Sequence, residues 1–345
     1  LAQANKGNEE AVGLSGATVL LTGGSSGIGA ATARTLAAAG ARILVAGRNA
    51  ARLRAVAAET GGIALAADLA APDGPAALAE AAMRAAAVWE SDGYEAAADA
   101  IPLQAPAPEP MSWTVPLPGL TGLPGLPGLT GLPGPPGPGP AADGMVITTV
   151  PRLDHAEPAG HLPTGPLPAT SGIDILINNA GVGWAGPLAE MSAAKVARVV
   201  AVNLTAPIEL TRLLTPVLGA GGRGRVVFVS SIAGTTGATQ EAVYAATKAG
   251  LGCFAESLRY ELAGTDVGVS VIVPGVVDTP FFARRGSPYG RSRPIPVSAQ
   301  RVARAVLTAI ERDQAMTFVP RWFGFPAWLH GTAPGTFRAL AARFG

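Results

Sequence analysis

The chain has 345 residues, 48% of them hydrophobic, enough for one large α/β domain or two average ones and wrong for a fibrous protein. Its 25 basic and 24 acidic residues leave a formal net charge of +1, which offers no broad footprint for nucleic acid or for an anionic membrane. The single cysteine, Cys253, excludes an internal disulfide and fits a reducing compartment, with the cytoplasm as the default.

Residues 1–14 read as an N-terminal extension. They lack the basic-then-apolar order of a secretion signal, and no apolar run in the chain approaches the roughly 18 residues that a membrane span needs. From Ala17 short apolar runs alternate with Ala-rich helical periods, the pattern of a parallel sheet covered by helices on both faces. Strands are predicted at 17–22, 42–46, 63–68, 174–179, 225–230, 269–274 and 316–320, with helices between them. Right-handed crossovers then give an α/β, Rossmann-like, doubly wound parallel sheet of about seven strands, with ligands expected beyond the carboxyl ends of the strands.

One connection breaks this rhythm. Residues 89–171, between the third and fourth strands, are far longer than the usual joint and read as a Pro/Gly-rich insertion. Its middle, residues 101–140, holds 13 prolines and a single charged residue, Glu109, a composition that prefers extended polyproline II. From Gly119 to Gly137 glycine stands at every third position, as in collagen. Six triplets with Leu at most X positions are too few to hold three chains together, so the segment reads as a flexible or surface-draped loop. Following a helix and preceding a strand, it emerges at the sheet edge opposite the expected chemistry.

The first strand runs into T-G-G-S-S-G-I-G, Thr22 to Gly29, which opens a helix. Gly23 permits a tight turn, Gly27 admits a pyrophosphate close to the backbone, Gly29 lets the helix pack near the strand, and the helix N-terminus attracts the anion. Thr22, Ser25, Ser26 and Ile28 complete this candidate cofactor loop; the plainer alternative is a glycine-rich turn without a ligand. After the second strand come Arg48 and Asn49. An acidic residue there would accept from ribose hydroxyls, whereas a guanidinium pairs with a 2′-phosphate, so Arg48 favours NADP(H) over NAD(H). A solvated surface arginine is the alternative, because Ser26 occupies a loop site where a second base would have strengthened the reading.

Further along, Tyr244 and Lys248 stand four apart on a predicted helix and share a face. An unperturbed phenol titrates at about 10; a neighbouring ammonium and an oxidised nicotinamide both favour phenolate, which would make Tyr244 a usable acid/base. Ser230 and Ser231 end the fifth strand, and either hydroxyl suits a carbonyl oxygen. Asn203 lies in an apolar helix, where a buried amide needs partners; a structural cap or helix–helix hydrogen bond would serve. The histidines at 155, 161 and 330 show no ligand spacing, and no metal is required.

In this order the motifs resemble the short-chain dehydrogenase/reductase family over residues 15–88 and 172–320, which that likeness marks as a single NAD(P)-binding catalytic domain. Thr22–Gly29 is similar to its T-G-x-x-x-G-x-G loop, Asp68-Leu69 to its adenine-contacting pair, and Asn178–Gly181 to its N-N-A-G motif, with Asn179, Ala180 and Gly181 at the cofactor. Asn203 resembles the catalytic helix Asn; Ser231, thirteen positions before Tyr244, is selected over Ser230; Tyr244 and Lys248 supply Y-x-x-x-K; and Pro274-Gly275 with Thr279 looks like P-G-x-x-x-T. The resemblance implies reversible hydride transfer between a nicotinamide and a carbonyl or secondary alcohol. Ser231 and Tyr244 would polarise the carbonyl, Lys248 anchor the nicotinamide ribose, Asn203 hold a proton-relay water, and Thr279 with the backbone near Val277 orient the carboxamide. It also implies a homodimer or homotetramer with the helices around Asn203 and Tyr244 at the interface.

The segment 276–298 takes the place of the family's substrate lid and mixes Phe281, Phe282 and Tyr289 with Arg284, Arg285, Arg291 and Arg293. That suits an apolar or aromatic substrate carrying an anionic group, or equally a solvated lid with scattered arginines. The tail, 321–345, gathers Trp322, Phe323, Phe325 and Trp328. Such a cluster walls a pocket, packs on a partner subunit, or rests on a membrane with Arg321, Arg338 and Arg343 at the headgroups; packing is the commoner outcome. Two other classes stand against this reading. A catalytically silent dinucleotide-binding sensor or scaffold is opposed by the complete Asn203, Ser231, Tyr244 and Lys248 set, and a collagen-like interaction protein by the length of the enzyme-like pattern.

Overall fold

A computed structural model describes residues 13–89, 172–290 and 294–344. The chain divides into two units, Leu1–Ala105 with Pro163–Gly345, and Pro106–Leu162; every described residue belongs to the first. Nearly all of the predicted N-terminal extension and of the 89–171 insertion, with its glycine triplets, lies outside the described residues, as do His155, His161, Arg291 and Arg293.

Among the described residues the strands are β1 (Thr18–Thr22), β2 (Arg42–Gly47), β3 (Ile63–Ala66), β4 (Ile175–Asn178), β5 (Gly224–Val229), β6 (Val267–Pro274), β7 (Val277–Asp278), β8 (Val297–Ser298) and β9 (Met316–Val319). Seven form one parallel sheet in the order β3-β2-β1-β4-β5-β6-β9, the doubly wound topology expected. The helices are α1 (Gly27–Ala38), α2 (Ala50–Thr60), α3 (Gly74–Val88), α4 (Ala193–Val200), α5 (Ala206–Leu214), α6 (Ala233–Thr236), α7 (Ala242–Glu261), α8 (Phe281–Arg284), α9 (Ala299–Glu311), α10 (Gly324–Thr332) and α11 (Pro334–Phe344). A π-helical turn, Ala201–Thr205, joins α4 to α5.

The apolar runs form strands because both of their faces are covered. Leu20, Leu44, Leu176, Val226 and Phe228 pack with Leu78 of α3, Leu210 of α5 and Leu251 of α7. Their alternate neighbours Val19, Leu21, Val45, Ile175, Ile177 and Val227 pack with Leu36 of α1, Leu53 of α2 and Val306 of α9. A strand buried on both sides reads as continuous hydrophobicity, and each such side chain contributes about 1.5–3 kcal/mol. Local chemistry sets the element ends: Asn49 accepts the Arg52 N–H at 2.9 Å to start α2, and Gly61, with φ of 62°, stops it.

The predicted strand limits fall within one residue of those observed except at two places: β6 starts two residues early, at Val267, and β3 stops short. β3 ends at Ala66, two residues early, because the Asp68 carboxylate accepts the Ala70 N–H at 3.1 Å and begins a turn. β7 and β8 are additional; they pair with each other and close the base of the predicted lid. Among the described residues no helix is long and apolar enough to cross a membrane.

Candidate active site

The sheet order reverses between β1 and β4, and the carboxyl ends of β1, β4, β5 and β6 border a cleft of about 1070 Å³. Gly23, with φ of 68°, turns the chain out of β1. A Cβ at Gly29 would lie 2.2 Å from the Gly23 carbonyl oxygen, so only glycine lets α1 begin so close to the strand it follows. Gly23, Ser25, Ser26, Gly27, Ile28 and Gly29 all line the cleft, whereas Thr22 stands behind it. The Thr22 hydroxyl accepts the Asn179 and Ala180 N–H groups at 3.0 Å each, while the Asn179 amide donates to the Thr22 carbonyl at 2.9 Å. The N-N-A-G segment thus locks β4 to the loop and leaves Asn179, Ala180 and Gly181 facing the cleft.

At one end of the cleft lie Arg48 and Asn49 from the β2 end and Asp68 and Leu69 from the β3 end. Arg52, on the first turn of α2, lines the same end, a second cation the sequence reading did not single out. Pro274, Gly275, Val277 and Thr279 border the far side. Gly275 has a packing reason of its own: a Cβ there would lie 2.0 Å from the Phe323 ring.

Ser231, Tyr244 and Lys248 meet where β5 ends against α7. Ser230 also lines the cleft, but its hydroxyl donates to the Lys248 carbonyl at 2.9 Å. Lys248, 4% exposed, donates from Nζ to the Val229 carbonyl at 2.8 Å and sits 6.0 Å from the centre of the Tyr244 ring. Burial pushes the Tyr244 phenol up to about 12, against the pull of a hydrogen bond with Ser231; Glu241 raises it further and Arg285 lowers it. Burial likewise pushes the Lys248 ammonium down to about 8. The expectation that a neighbouring ammonium holds the phenol down is therefore not met in the protein itself, because loss of solvent penalises phenolate and ammonium alike.

Asn203 lies behind the cleft on the π-helical turn, fully buried. Its Oδ1 accepts the Val182 N–H at 2.8 Å, and its Nδ2 donates to the Val182 carbonyl at 2.9 Å and the Thr247 hydroxyl at 3.3 Å. The amide joins the loop after β4 to α7, so the helix–helix bond weighed from sequence is present. A Cβ at Gly181 would lie 3.6 Å from both Asn203 Oδ1 and Lys248 Nζ, so both polar groups border Gly181.

A family model described as short chain dehydrogenase matches residues 17–88 and 167–289, more than half of the chain. The chain belongs to the short-chain dehydrogenase/reductase family. Among its relatives are a ketoacyl reductase of Nostoc sp., 46% identical over 105 residues that cover 30% of this chain and 37% of the relative. Dehydrogenase/reductase SDR family member 7B of Bos taurus is 31% identical over 180 residues, covering 50% of this chain and 55% of the relative. The chain thus spans about a third to half of the length of these curated relatives. Among solved structures, a short-chain dehydrogenase from Sphingobium yanoikuyae in complex with NADPH has a TM-score of 0.59 at 23% identity, with 91% of this chain and 94% of that chain covered. A metagenomic short-chain oxidoreductase in complex with NADP has a TM-score of 0.55 at 26% identity, with coverages of 89% and 97%.

In this member of the family the residues of segment 276–298 divide in an unexpected way. Phe281 packs on Tyr244 with ring centres 5.6 Å apart and continues through Phe282 to Tyr289. Arg285 is not a solvated lid residue: its side chain is 9% exposed, it lies over the Phe282 ring, and it pairs with Glu241 at 2.5 Å. Phe323, Pro326 and Phe337 of the tail also line the cleft, while Trp322, Phe325 and Trp328 are exposed. The aromatic composition of the tail was the signal for a wall; which of its rings would turn inward was not readable.

The Glu241–Arg285 pair links the lid to the start of α7, and removing one partner of a partly buried pair costs at most about 3 kcal/mol. Glu241→Gln is expected to raise amide exchange across 276–290 by more than about tenfold and to leave β1, β4, β5 and β6 protected, as read by hydrogen-exchange mass spectrometry. Unchanged exchange in that segment would mean that the pair does not hold the lid.

Proposed function

We propose that this chain is an NADP(H)-dependent oxidoreductase that interconverts a carbonyl group and a secondary alcohol, with Tyr244 as its acid/base. The reading is carried by the placement of Ser231, Tyr244 and Lys248 in the same cleft as the glycine loop. A dinucleotide fits the residues there. The first turn of α1 carries no acidic side chain against an anion, and the loop glycines keep side chains out of the cradle. Thr22–Gly29 would hold the pyrophosphate, Asp68 and Leu69 the adenine, and Arg48 with Asn49 and Arg52 the 2′-phosphate. Asn179, Ala180, Gly181, Lys248, Pro274, Gly275, Val277 and Thr279 would hold the nicotinamide half. Bound there, the cofactor supplies the hydride donor or acceptor.

In the reducing direction Ser231 and Tyr244 hydrogen-bond the carbonyl oxygen, and Tyr244 gives its proton to the forming alkoxide. A phenol pushed up to about 12 stays loaded with that proton across neutral pH. Lys248 spends one N–H on Val229 and keeps two for a ribose hydroxyl and for proton exchange, which its value of about 8 favours. Asn203 Oδ1 accepts one backbone bond and keeps a lone pair for a relay water.

Apolar or aromatic substrates suit the Phe281, Phe282, Phe323 and Phe337 side of the cleft. Arg285 is neutralised by Glu241 and so offers no free charge to an anionic group. The names of two relatives, a ketoacyl reductase and a retinol dehydrogenase, fit that class. Assembly as a homodimer or homotetramer belongs to the same reading.

The test is a panel of ketones, aldehydes and alcohols, with apolar and aromatic members, followed by the absorbance of reduced nicotinamide. Turnover of at least one member supports the reading, and none with either cofactor removes it. For the cofactor, Arg48→Asp is expected to weaken NADPH relative to NADH by about 10- to 100-fold, the worth of a hydrogen bond to a charged group. Equal kinetics before and after the change would defeat the NADP(H) assignment.

A further inference from the structure

The N-cap serine of α1 does not cap its helix. Ser26 is extended, with φ of −172°, and its hydroxyl makes no bond to the first-turn amides. Instead Ser26 Oγ accepts a hydrogen bond at 3.0 Å from Nη2 of Arg284, the last residue of lid helix α8, 258 positions away. A guanidinium is thereby held against the positive end of a helix whose first turn carries no acidic residue. Arg284 forms no ion pair among the described residues, whereas its neighbour Arg285 is neutralised by Glu241. An anion bound at that helix end would therefore meet both positive features at once.

We propose that Arg284 is a cofactor-binding residue that the substrate lid supplies to the glycine loop, where its guanidinium pairs with the dinucleotide pyrophosphate. The proposal rests on the dinucleotide reading of the cleft. The loop's geometry selects the pyrophosphate over the 2′-phosphate. Ser25 faces β2, its hydroxyl 3.9 Å from where a Gly47 Cβ would be, and that is the side of Arg48. Gly27 lies on another side, where a Cβ on it would be 3.0 Å from Thr279 and where α8, which carries Arg284, follows directly. The planar fork of an arginine matches paired phosphoryl oxygens, and the Ser26 hydroxyl keeps it aimed at the site. The lid arginines thus serve two ends of the cleft: Arg285 fixes the lid beside Tyr244, and Arg284 ties it to the cofactor.

The experiment is titration calorimetry of NADPH and NADH against the full chain and its Arg284→Ala, Arg284→Lys and Arg48→Asp variants. Arg284 is exposed, so its replacement leaves the core intact. Arg284→Ala is expected to weaken both dinucleotides by the same factor, about 10- to 100-fold, and Arg284→Lys by less, since charge is kept and the fork is lost. Arg48→Asp is expected to weaken NADPH alone. Unaltered affinities in Arg284→Ala would reduce the Ser26 contact to a lid clasp and overturn the proposal, and so would a loss confined to NADPH. Failure of the unmodified chain to bind either dinucleotide would instead remove the cofactor reading on which the proposal stands.

Discussion

Tyr244→Phe is expected to bind NADPH as the parent does and to lose about 100- to 10,000-fold in carbonyl turnover, the contribution of a positioned general acid. The substitution removes one hydroxyl and nothing else from a ring that packs on Phe281 at the buried start of α7. The fold keeps its shape, because the lost bond with Ser231 is worth only about 1 kcal/mol. Steady-state kinetics with the best substrate of the panel, alongside calorimetric NADPH affinity, separates the outcomes. Retained affinity with collapsed kcat places Tyr244 at the proton transfer. Unchanged kcat would remove it from that role, and weakened affinity with unchanged kcat would make it a binding residue.

Lys248→Met is expected to abolish most turnover while making the protein insensitive to a pH change that stabilises the parent. Lys248 is pushed from 10.5 to about 8 by burial, so below pH 8 both the native and the unfolded chain hold its proton and the fold carries the whole cost of an enclosed ammonium. Between pH 8 and 10.5 the unfolded chain holds more protons than the native one, and stability rises with pH. Across pH 7.5 to 9.5 that rise is roughly 2 kcal/mol. Tyr244 acts in a higher window: raised from 10 to about 12, it contributes stability that is present below 10 and is lost as pH climbs through 12. Urea denaturation of parent and Lys248→Met at the two pH values isolates the lysine, since all other groups are shared. A parallel rise in both proteins would show that Lys248 is not the group responsible. The absolute stability of the variant decides less, because the Val229 carbonyl loses its donor at a cost of about 1–3 kcal/mol.

Where a feature depends on residues close in the chain, it was legible before any coordinates. The β1–loop–α1 unit announces itself through Gly23 and Gly29, because a turn this tight tolerates no side chain whatever surrounds it. Tyr244 and Lys248 share a helix face because they are four apart, and the apolar runs of the sheet follow from burial on both sides. Helix periodicity and strand runs are local properties, so the fold class, a doubly wound parallel sheet of seven strands, came through intact. The two-residue strands β7 and β8 escaped because nothing so short has a period.

What depends on partners distant in sequence had to wait for packing. The Ser230 hydroxyl is engaged by a carbonyl 18 residues away, on α7. The titration of Tyr244 runs opposite to expectation because an adjacent cation can be read from spacing, whereas the removal of water around both groups cannot. The lid arginines read equally as a match for an anionic group or as scattered solvated charges, yet Arg284 reaches Ser26 and Arg285 reaches Glu241, two destinations set by how a four-residue helix is seated. Chain-local geometry chose the elements and the chemistry-bearing residue types; solvent exclusion and long-range contact, which act through the folded volume, set their protonation and assigned each side chain its partner.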